Sequence, residues 1–460
     1  MKLYSENNSY KLYQGNMLDM LDVIEEGTID SIITDPPYEL NFMSKSWDNS
    51  GIAFEKETWK KCFDVLKEGG YLLAFGGSRT FHRIACAIED AGFEIRDTIM
   101  WLYGSGFPKS MNIGLAIDKK NGVKSIDTGI ISPNARPNST KNNTLFESGT
   151  VGKKFTIKKA SNEWHGWGTC LKPSFEPIII ARKPFKGSLV DNVIKNKVGG
   201  LNIDECRVGN EKIEYYPTDL TEAHGNKFGN GAYMPKDTTK ELISHEGRFP
   251  ANTILTYDDT DFDEVCGAFP QSKGASSQNN YSKGSIYRGQ SLNESSTKLY
   301  GYRQWYNDNG SASRYFYCAK ASKKDRDEGL DSFEEIPYAV SNQAQAELRR
   351  GNLDKIKGRS QMNSVQMRKN THPTVKPTEL MQYLLRLVSP NGSTILDPFN
   401  GSGSTGKAVM YENKEKNKNY KYIGIELNEE YLPIAKARIE YVCNLDEKQK
   451  ECEMTIYDYL

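Results

Sequence analysis

The sequence predicts an α/β fold built on a doubly wound, largely parallel sheet. Two strand-to-turn junctions and one further strand carry that expectation. The run Ile29-Asp30-Ser31-Ile32-Ile33-Thr34 reads as a short buried strand ending at Asp35-Pro36-Pro37-Tyr38. Far downstream, Ser393-Thr394-Ile395-Leu396 reads as a second strand, ending at Asp397-Pro398-Phe399-Asn400-Gly401-Ser402-Gly403. Beyond it, Lys421-Tyr422-Ile423-Gly424-Ile425-Glu426 reads as a third strand that closes on an acid. In an open sheet of this kind, ligands bind just beyond the carboxyl ends of the strands.

The first junction is the most informative. Proline cannot continue a central ladder, so the chain leaves the sheet at Pro36. That places the Asp35 carboxylate and the Tyr38 ring where a ligand would sit. These residue types suit methylation of an exocyclic amino group on a base. The amino nitrogen of adenine or cytosine is a poor nucleophile, because its lone pair is delocalised into the ring. Asp35 can accept one N–H and the Pro36 carbonyl the other, which favours a pyramidal nitrogen with its lone pair aimed at an incoming methyl group. Tyr38 offers a flat face for stacking a base drawn out of a duplex. Taken alone, the tetrapeptide also fits a plain strand-ending turn.

The second junction adds a nucleotide-binding pattern. Gly401 and Gly403 allow positive φ and close approach of backbone to a ligand. A helix starting near Thr405 presents its N-terminus to an anionic group such as a carboxylate. Glu426 stands where nucleotide-binding α/β folds grip a ribose diol. The turn is not Gly-x-Gly-x-x-Gly, and no lysine stands at P-loop spacing. An adenosyl ligand with a short charged tail therefore fits better than NAD or ATP.

With these segments in place, the chain resembles the amino-methylating DNA methyltransferases, the N6-adenine and N4-cytosine enzymes that use S-adenosylmethionine. The matching pieces are Asp35-Pro36-Pro37-Tyr38, the run Val65–Phe75, His372-Pro373-Thr374-Val375-Lys376-Pro377, Asp397–Gly403 and Ile423-Gly424-Ile425-Glu426. The catalytic tetrapeptide precedes the cofactor loop, which resembles the family's β arrangement, with target recognition inserted between the halves. The resemblance covers roughly residues 10–115 and 310–440. It implies a Rossmann-like S-adenosylmethionine-dependent methyltransferase sheet with an inserted target-recognition region.

The resemblance also implies roles. Asp35 and Pro36, in the turn that Pro37 completes, would hold the target amino group, and Tyr38 would stack on the flipped base. Asp397, Phe399, Gly401, Gly403 and Ser404 would form the cofactor loop, and Glu426 would take the ribose hydroxyls. Thr374 and Lys376, before a helix over 377–388, would line the cofactor's methionine end. Asn16 stands where the family usually has an acid. Its amide can hydrogen-bond an adenine ring without bringing charge, and a surface turn would suit it equally. An Asp in the first motif position leans toward adenine, a serine toward cytosine. The implied reaction is site-specific methylation of adenine N6 in duplex DNA by base flipping, with direct attack by nitrogen. N4-cytosine methylation, methylation of RNA or a protein glutamine, and an inactive DNA-binding module are the alternatives. Duplex DNA, a cognate restriction endonuclease and a homodimeric state are the implied partners.

Composition agrees with a cytoplasmic enzyme that does not engage a membrane. The chain has 460 residues, enough for two or three domains. It has no run of about 18 apolar residues, and Met1–Asn7 lacks an apolar signal region. The 8 cysteines are scattered without a Cys-x-x-Cys pair and the 5 histidines without a His-x-x-x-His pair. That argues for free thiols in a reducing compartment and against a metal site. His372 reads as a turn or packing residue. No cysteine follows a proline, which argues against cytosine C5 methylation.

The net charge of zero hides an asymmetry: residues 1–100 carry 10 Lys/Arg against 17 Asp/Glu, and residues 109–200 carry 16 against 6. Lys153-Lys154, Lys158-Lys159, Arg182-Lys183 and Lys186 are candidates for phosphate contacts, with a solvated surface as the alternative. The expected organisation is a catalytic half over 1–115, a recognition insert over 116–314, a cofactor-binding half over 315–445 and a polar tail over 446–460. Within the insert, Asn134–Gly149 reads as a loop. Ser272–Ser313 interleaves Tyr281, Tyr287, Tyr300, Tyr302, Trp305 and Tyr306 with basic residues, as a base-stacking segment or a flexible loop would. Strands around 178–181 and 253–255 are expected to tie the insert to the catalytic sheet. Glu55–Val65 reads as an amphipathic helix with Trp59, Phe63 and Leu66 on one face. Ile99–Phe107 reads either as a core strand followed by a glycine turn, with Trp101 in the core, or as a strand that places Trp101 or Tyr103 beside the flipped base.

Overall fold

Both junction strands form where the apolar runs place them, and they lie side by side. The computed structural model describes residues 2–40, 46–104, 110–131, 156–215, 243–257, 269, 271–272, 310–320, 323–339 and 365–445. Ten strands build one sheet: β1 (Lys2–Glu6), β2 (Tyr10–Gln14), β3 (Ile29–Thr34), β4 (Leu66–Phe75), β5 (Glu94–Tyr103), β6 (Phe175–Arg182), β7 (Thr253–Tyr257), β8 (Tyr317–Lys320), β9 (Thr394–Asp397) and β10 (Lys421–Glu426). Across the sheet the order is β1-β2-β10-β9-β3-β4-β6-β5-β7-β8. Neighbours are parallel throughout, except that β1 and β6 run antiparallel to theirs.

The sheet is covered on both faces, and alternation along each strand shows how. Ile33, Leu73, Ile180 and Ile395 belong to one buried cluster, together with helices α7 (Thr378–Val388), α8 (Ser404–Glu415) and α9 (Leu432–Cys443). Their chain neighbours Ile32, Leu72, Ile179 and Leu396 belong to the other, with α1 (Met17–Leu21), α2 (Lys56–Val65) and α3 (Phe81–Asp90). Helices α4 (Ile113–Lys120), α5 (Leu189–Asn196) and α6 (Lys323–Asp327) come between α3 and α7 in the chain. Successive side chains on a strand point to opposite faces, so an uninterrupted apolar run is what a doubly covered strand requires.

The pairing of β3 with β9 sets Ser31 opposite Ile395 and Ile32 opposite Leu396. From β3 the chain passes through α2 to β4 on one side; from β9 it passes through α8 to β10 on the other. A crevice opens at such a switch point, beyond the carboxyl ends of the two strands. Asp35 and Asp397 are carried there by this topology.

Helix α2 buries Trp59 completely, and its indole N–H donates to the Ala53 carbonyl at 2.9 Å. The helix stops at Val65, and Leu66, expected on its apolar face, opens β4. Lys183 Nζ donates to the carbonyls of Phe63 and Leu66 at 2.6 and 2.7 Å, satisfying acceptors that a helix end leaves open. Arg182 is buried and pairs with Glu94 at 2.8 Å. These two cations therefore serve the fold, whereas Lys158, Lys159 and Lys186 are exposed.

The two runs expected to join the insert to the sheet do so. Ile178 of β6 pairs with both Phe75 and Ile99, and Ile254 of β7 pairs with Trp101. Trp101 is buried and donates its indole N–H to Thr256 Oγ1 at 2.7 Å, as a core residue would. The Asn134–Gly149 loop, Lys153-Lys154, the aromatic residues from Tyr281 to Tyr306 and the tail over 446–460 lie outside the described residues. Among those described, no helix is long and apolar enough to cross a membrane, and no group of three or more His, Cys, Asp or Glu could hold a metal ion.

Candidate active site

The carboxyl ends of β3, β9 and β10 and the start of β6 open onto one cleft of about 1510 Å³. Asp35, Pro36, Pro37, Tyr38, Asn16, Thr374, Lys376, Asp397, Phe399, Gly401, Ser404 and Glu426 all line it. Gly403 alone of the expected site residues does not. It has φ 74°, and a Cβ there would stand 3.0 Å from the Cα of Ala435 in α9. Its work is to let α8 start in a left-handed turn pressed against α9.

On the β9 side the loop is tightly built. Asp397 Oδ1 accepts from the Thr34 hydroxyl at 2.7 Å and from the Phe399 N–H at 3.1 Å; Oδ2 accepts from the Thr405 hydroxyl at 2.7 Å. Burial lifts its pKa to about 6 against these donors. Gly401 has φ 52°, and a Cβ there would lie 2.9 Å from His372 Nε2. His372 packs against the Tyr431 ring at 4.5 Å, and burial, then the nearby Lys376, Arg326 and Arg438 cations, push its pKa down to about 3. It is a neutral packing residue. Arg438, fully buried in α9, donates to the Ser402 carbonyl at 2.8 Å and to Ser404 Oγ at 3.2 Å, anchoring the loop from beneath.

Glu426 ends β10 beside this loop. Its Oε2 accepts from the Gly401 N–H at 2.6 Å and Oε1 from the Asn428 N–H at 2.7 Å. Burial raises its pKa to about 7 despite those bonds. Each oxygen keeps further lone-pair capacity. Asn16 caps α1, accepting from the Leu18 N–H at 3.1 Å, and still lines the cleft. Thr374 donates its N–H to His372 Nδ1 at 3.4 Å.

The β3 side holds the charged centre. Lys376 Nζ lies 2.7 Å from Asp35 Oδ2. It also lies 3.4 Å from Glu176 Oε2, a residue that sequence reasoning passed over. The Lys376 side chain is 6% exposed, with the Tyr38 and Phe75 ring centres 5.3 and 5.0 Å from its nitrogen. Burial would lower its pKa, but the two carboxylates outweigh burial and hold it cationic. Asp35 Oδ1 is buried and makes no hydrogen bond among the described residues. Burial raises the Asp35 pKa and the Lys376 charge opposes that rise. Tyr38 donates its hydroxyl to Glu176 Oε2 at 2.8 Å, so its ring is pinned beside Asp35. The one signal for Glu176 was an acid standing immediately before the apolar run Pro177–Ala181.

A family model described as DNA methylase, of the N6/N4 class, matches residues 29–437. The chain belongs to this DNA methylase family. The chain is similar to Type II methyltransferase M.HindIII of Haemophilus influenzae, 25% identical over 169 residues, covering 36% of this chain and 40% of that protein. It is similar to Type II methyltransferase M.HpaI of Haemophilus parainfluenzae, 34% identical over 91 residues, 19% of this chain and 27% of the other. DNA adenine methyltransferase YhdJ of Escherichia coli is 36% identical over 69 residues, 15% of this chain and 21% of the other. The chain thus spans two fifths or less of the length of these relatives. Among solved structures, the M1.HpyAVI–SAM complex matches with 14% identity, 94% and 98% coverage of the two chains, and a TM-score of 0.36. The cytosine-N4-specific PvuII DNA methyltransferase matches with 12% identity, 94% and 86% coverage, and a TM-score of 0.37. Likenesses this loose carry no argument for the fold or the target base.

Members of this family take their methyl group from S-adenosylmethionine, and the residues lining this cleft fit that molecule. The Gly401 loop offers backbone without a Cβ, Glu426 offers paired acceptors for a diol, and the N-terminus of α8 faces the same space as Ser404.

Proposed function

We propose that this methylase transfers a methyl group from S-adenosylmethionine to the N6 amino group of an adenine turned out of duplex DNA. The carrying observation is Asp35 Oδ1: a buried carboxylate oxygen without a hydrogen bond among the described residues, on a residue that lines the same cleft as Gly401 and Glu426. An unsatisfied buried acceptor costs about 1–3 kcal/mol, and an amino N–H arriving there would satisfy it.

S-adenosylmethionine supplies an electrophilic methyl group when bound. Asp35 accepts one amino N–H, and its charge draws electron density back onto the nitrogen. Lys376 favours the ionised form of Asp35. The Tyr38 ring, pinned by Glu176, offers the base a stacking face. The nitrogen lone pair would form the new N–C bond as the methyl–sulfur bond breaks, with the bonding pair going to sulfur and S-adenosylhomocysteine leaving. The nitrogen then carries positive charge and sheds one proton, for which the Asp35 carboxylate, already hydrogen-bonded to the amino group, is the proposed acceptor. Nitrogen attacks directly, so no covalent enzyme intermediate is required.

Support for adenine comes from the Asp at the first motif position and from similarity to a relative named as an adenine methyltransferase. The segment between the two motif-bearing halves, residues 116–314, is proposed as the recognition region, with exposed Lys158, Lys159 and Lys186 as phosphate contacts. A cognate endonuclease and a homodimer belong to the same proposal and rest on the sequence resemblance. The test is incubation with unmethylated duplex DNA and labelled S-adenosylmethionine, then digestion to nucleosides and mass spectrometry. Label in N6-methyladenine is expected. Label in N4-methylcytosine would overturn the base, and label only in RNA or protein would overturn the substrate.

A further inference from the structure

The catalytic carboxylate is not held by the motif-bearing strands alone. Strand β6 comes from the segment between them and enters the sheet antiparallel, between β4 and β5. Only an antiparallel strand can bring its own first residues to the carboxyl edge of its neighbours. That register sets Glu176 opposite Trp101, one residue short of the end of the described pairing. The side chain then reaches three partners. Oε2 accepts from the Tyr38 hydroxyl at 2.8 Å and stands 3.4 Å from Lys376 Nζ, while Oε1 accepts from the Tyr103 hydroxyl at 3.4 Å.

Lys376 is thereby shared between two carboxylates, Asp35 at 2.7 Å and Glu176 at 3.4 Å. All three side chains are largely enclosed, with 6% exposure for Lys376, 20% for Asp35 and 21% for Glu176. In such surroundings ionic interactions are strong: beyond the rise that burial causes, the Lys376 charge lowers the Asp35 pKa and the Glu176 charge raises it, so Glu176 makes ionised Asp35 the more basic acceptor. Two carboxylates around one ammonium leave the cluster anionic. With Glu176 neutralised, Lys376 would pair with Asp35 alone, and a fully paired carboxylate is a weaker acceptor.

We propose that Glu176 is a positioning residue for methyl transfer: it anchors the Tyr38 hydroxyl and shares the Lys376 ammonium, so that the Asp35 carboxylate, on a residue lining the cleft, is the stronger hydrogen-bond acceptor. This rests on the proposed transfer to a base amino group and deepens it. It also makes the segment between the motif halves part of the catalytic apparatus, because β6 must dock before the cluster is complete.

The test uses the full chain with Glu176→Gln, Glu176→Ala, Lys376→Met and the Gln/Met double variant. Gln retains an oxygen for the Tyr38 hydroxyl and removes the charge. Methyl transfer to unmethylated duplex DNA is measured alongside S-adenosylmethionine affinity by calorimetry. For Glu176→Gln the expected result is a kcat lowered about tenfold or more, with KM for DNA and Kd for S-adenosylmethionine within about twofold of wild type. Glu176→Ala should lose more, because it also frees Tyr38. In thermal unfolding, the Gln/Met double variant should depart from the sum of the single shifts, since both residues share one cluster. A kcat within about twofold of wild type, or a Kd that rises in step with the lost rate, would overturn the positioning role. Additive unfolding shifts would overturn the cluster. A wild-type chain that transfers no methyl to DNA, with non-additive shifts retained, would overturn the parent reading and the catalytic role while leaving the cluster standing.

Discussion

The Thr34 hydroxyl donates to Asp397 Oδ1 at 2.7 Å, tying together the ends of two strands whose residues stand 363 apart in sequence. Asp397 is held from its other side by Thr405 at the start of α8. The hydrogen bonds across this seam fix the catalytic turn relative to the cofactor loop. Thr34→Val keeps the shape and removes one donor from a buried carboxylate. Denaturant unfolding should show a loss of about 1–3 kcal/mol, and S-adenosylmethionine affinity should fall several-fold. An unchanged midpoint would mean that the seam is held by strand pairing alone.

Asp35→Ala should separate chemistry from binding. Transfer is expected to fall at least about 100-fold, while calorimetric affinity for S-adenosylmethionine changes little, because the Gly401 loop and Glu426 are untouched. Methylation of DNA near the wild-type rate would sink the mechanism.

The two glycines of the cofactor loop should fail differently. Gly403→Ala sets a Cβ 3.0 Å from Ala435 at φ 74°, so strain and overpacking together should cost about 2–4 kcal/mol of stability. Gly401→Ala directs its Cβ at His372, which lines the cleft, and should weaken cofactor affinity out of proportion to any loss of stability. Equal effects of the two changes on affinity would contradict this division.

Glu426 predicts a pH dependence. Burial raises its pKa from 4.5 to about 7 in the free protein. Hydroxyl donors from a bound ribose favour the carboxylate, so binding lowers that pKa. Proton uptake by the free protein then competes with the ligand, and affinity for S-adenosylmethionine should fall as pH drops from 8 to about 6. Glu426→Gln should bind more weakly at pH 8 and flatten the Glu426 component of the profile. Parallel profiles for the two proteins would remove Glu426 from cofactor binding.

The basic residues should divide by role. Lys183→Met is expected to lower stability by about 1–2 kcal/mol through loss of its bonds to the α2 carbonyls, with the salt slope of DNA binding unchanged. Lys158→Ala, Lys159→Ala or Lys186→Ala should each leave stability alone and reduce that slope by about 1. A reduced slope for Lys183→Met would return that residue to the DNA surface.

Local pattern along the chain was enough for the pieces: which runs become doubly buried strands, where prolines force the chain out of the sheet, and where only glycine admits a left-handed turn. Those properties are set within a few residues, so Ile29–Thr34, Gly401 and the start of α8 were legible. The end of α2 at Val65 was legible too, but the place of Leu66 was not, because it is equally apolar on a helix face and at the head of a strand; pairing with β3 decided it. Charged residues were the least legible. Lys183 and Lys186 look alike in sequence, yet one caps a helix and the other faces solvent. Lys376 and Glu176 meet Asp35 only because β6 inserts antiparallel and α7 packs below the crevice. Ion pairing depends on distances across the fold, and those distances are fixed by strand order and register, which no local pattern encodes.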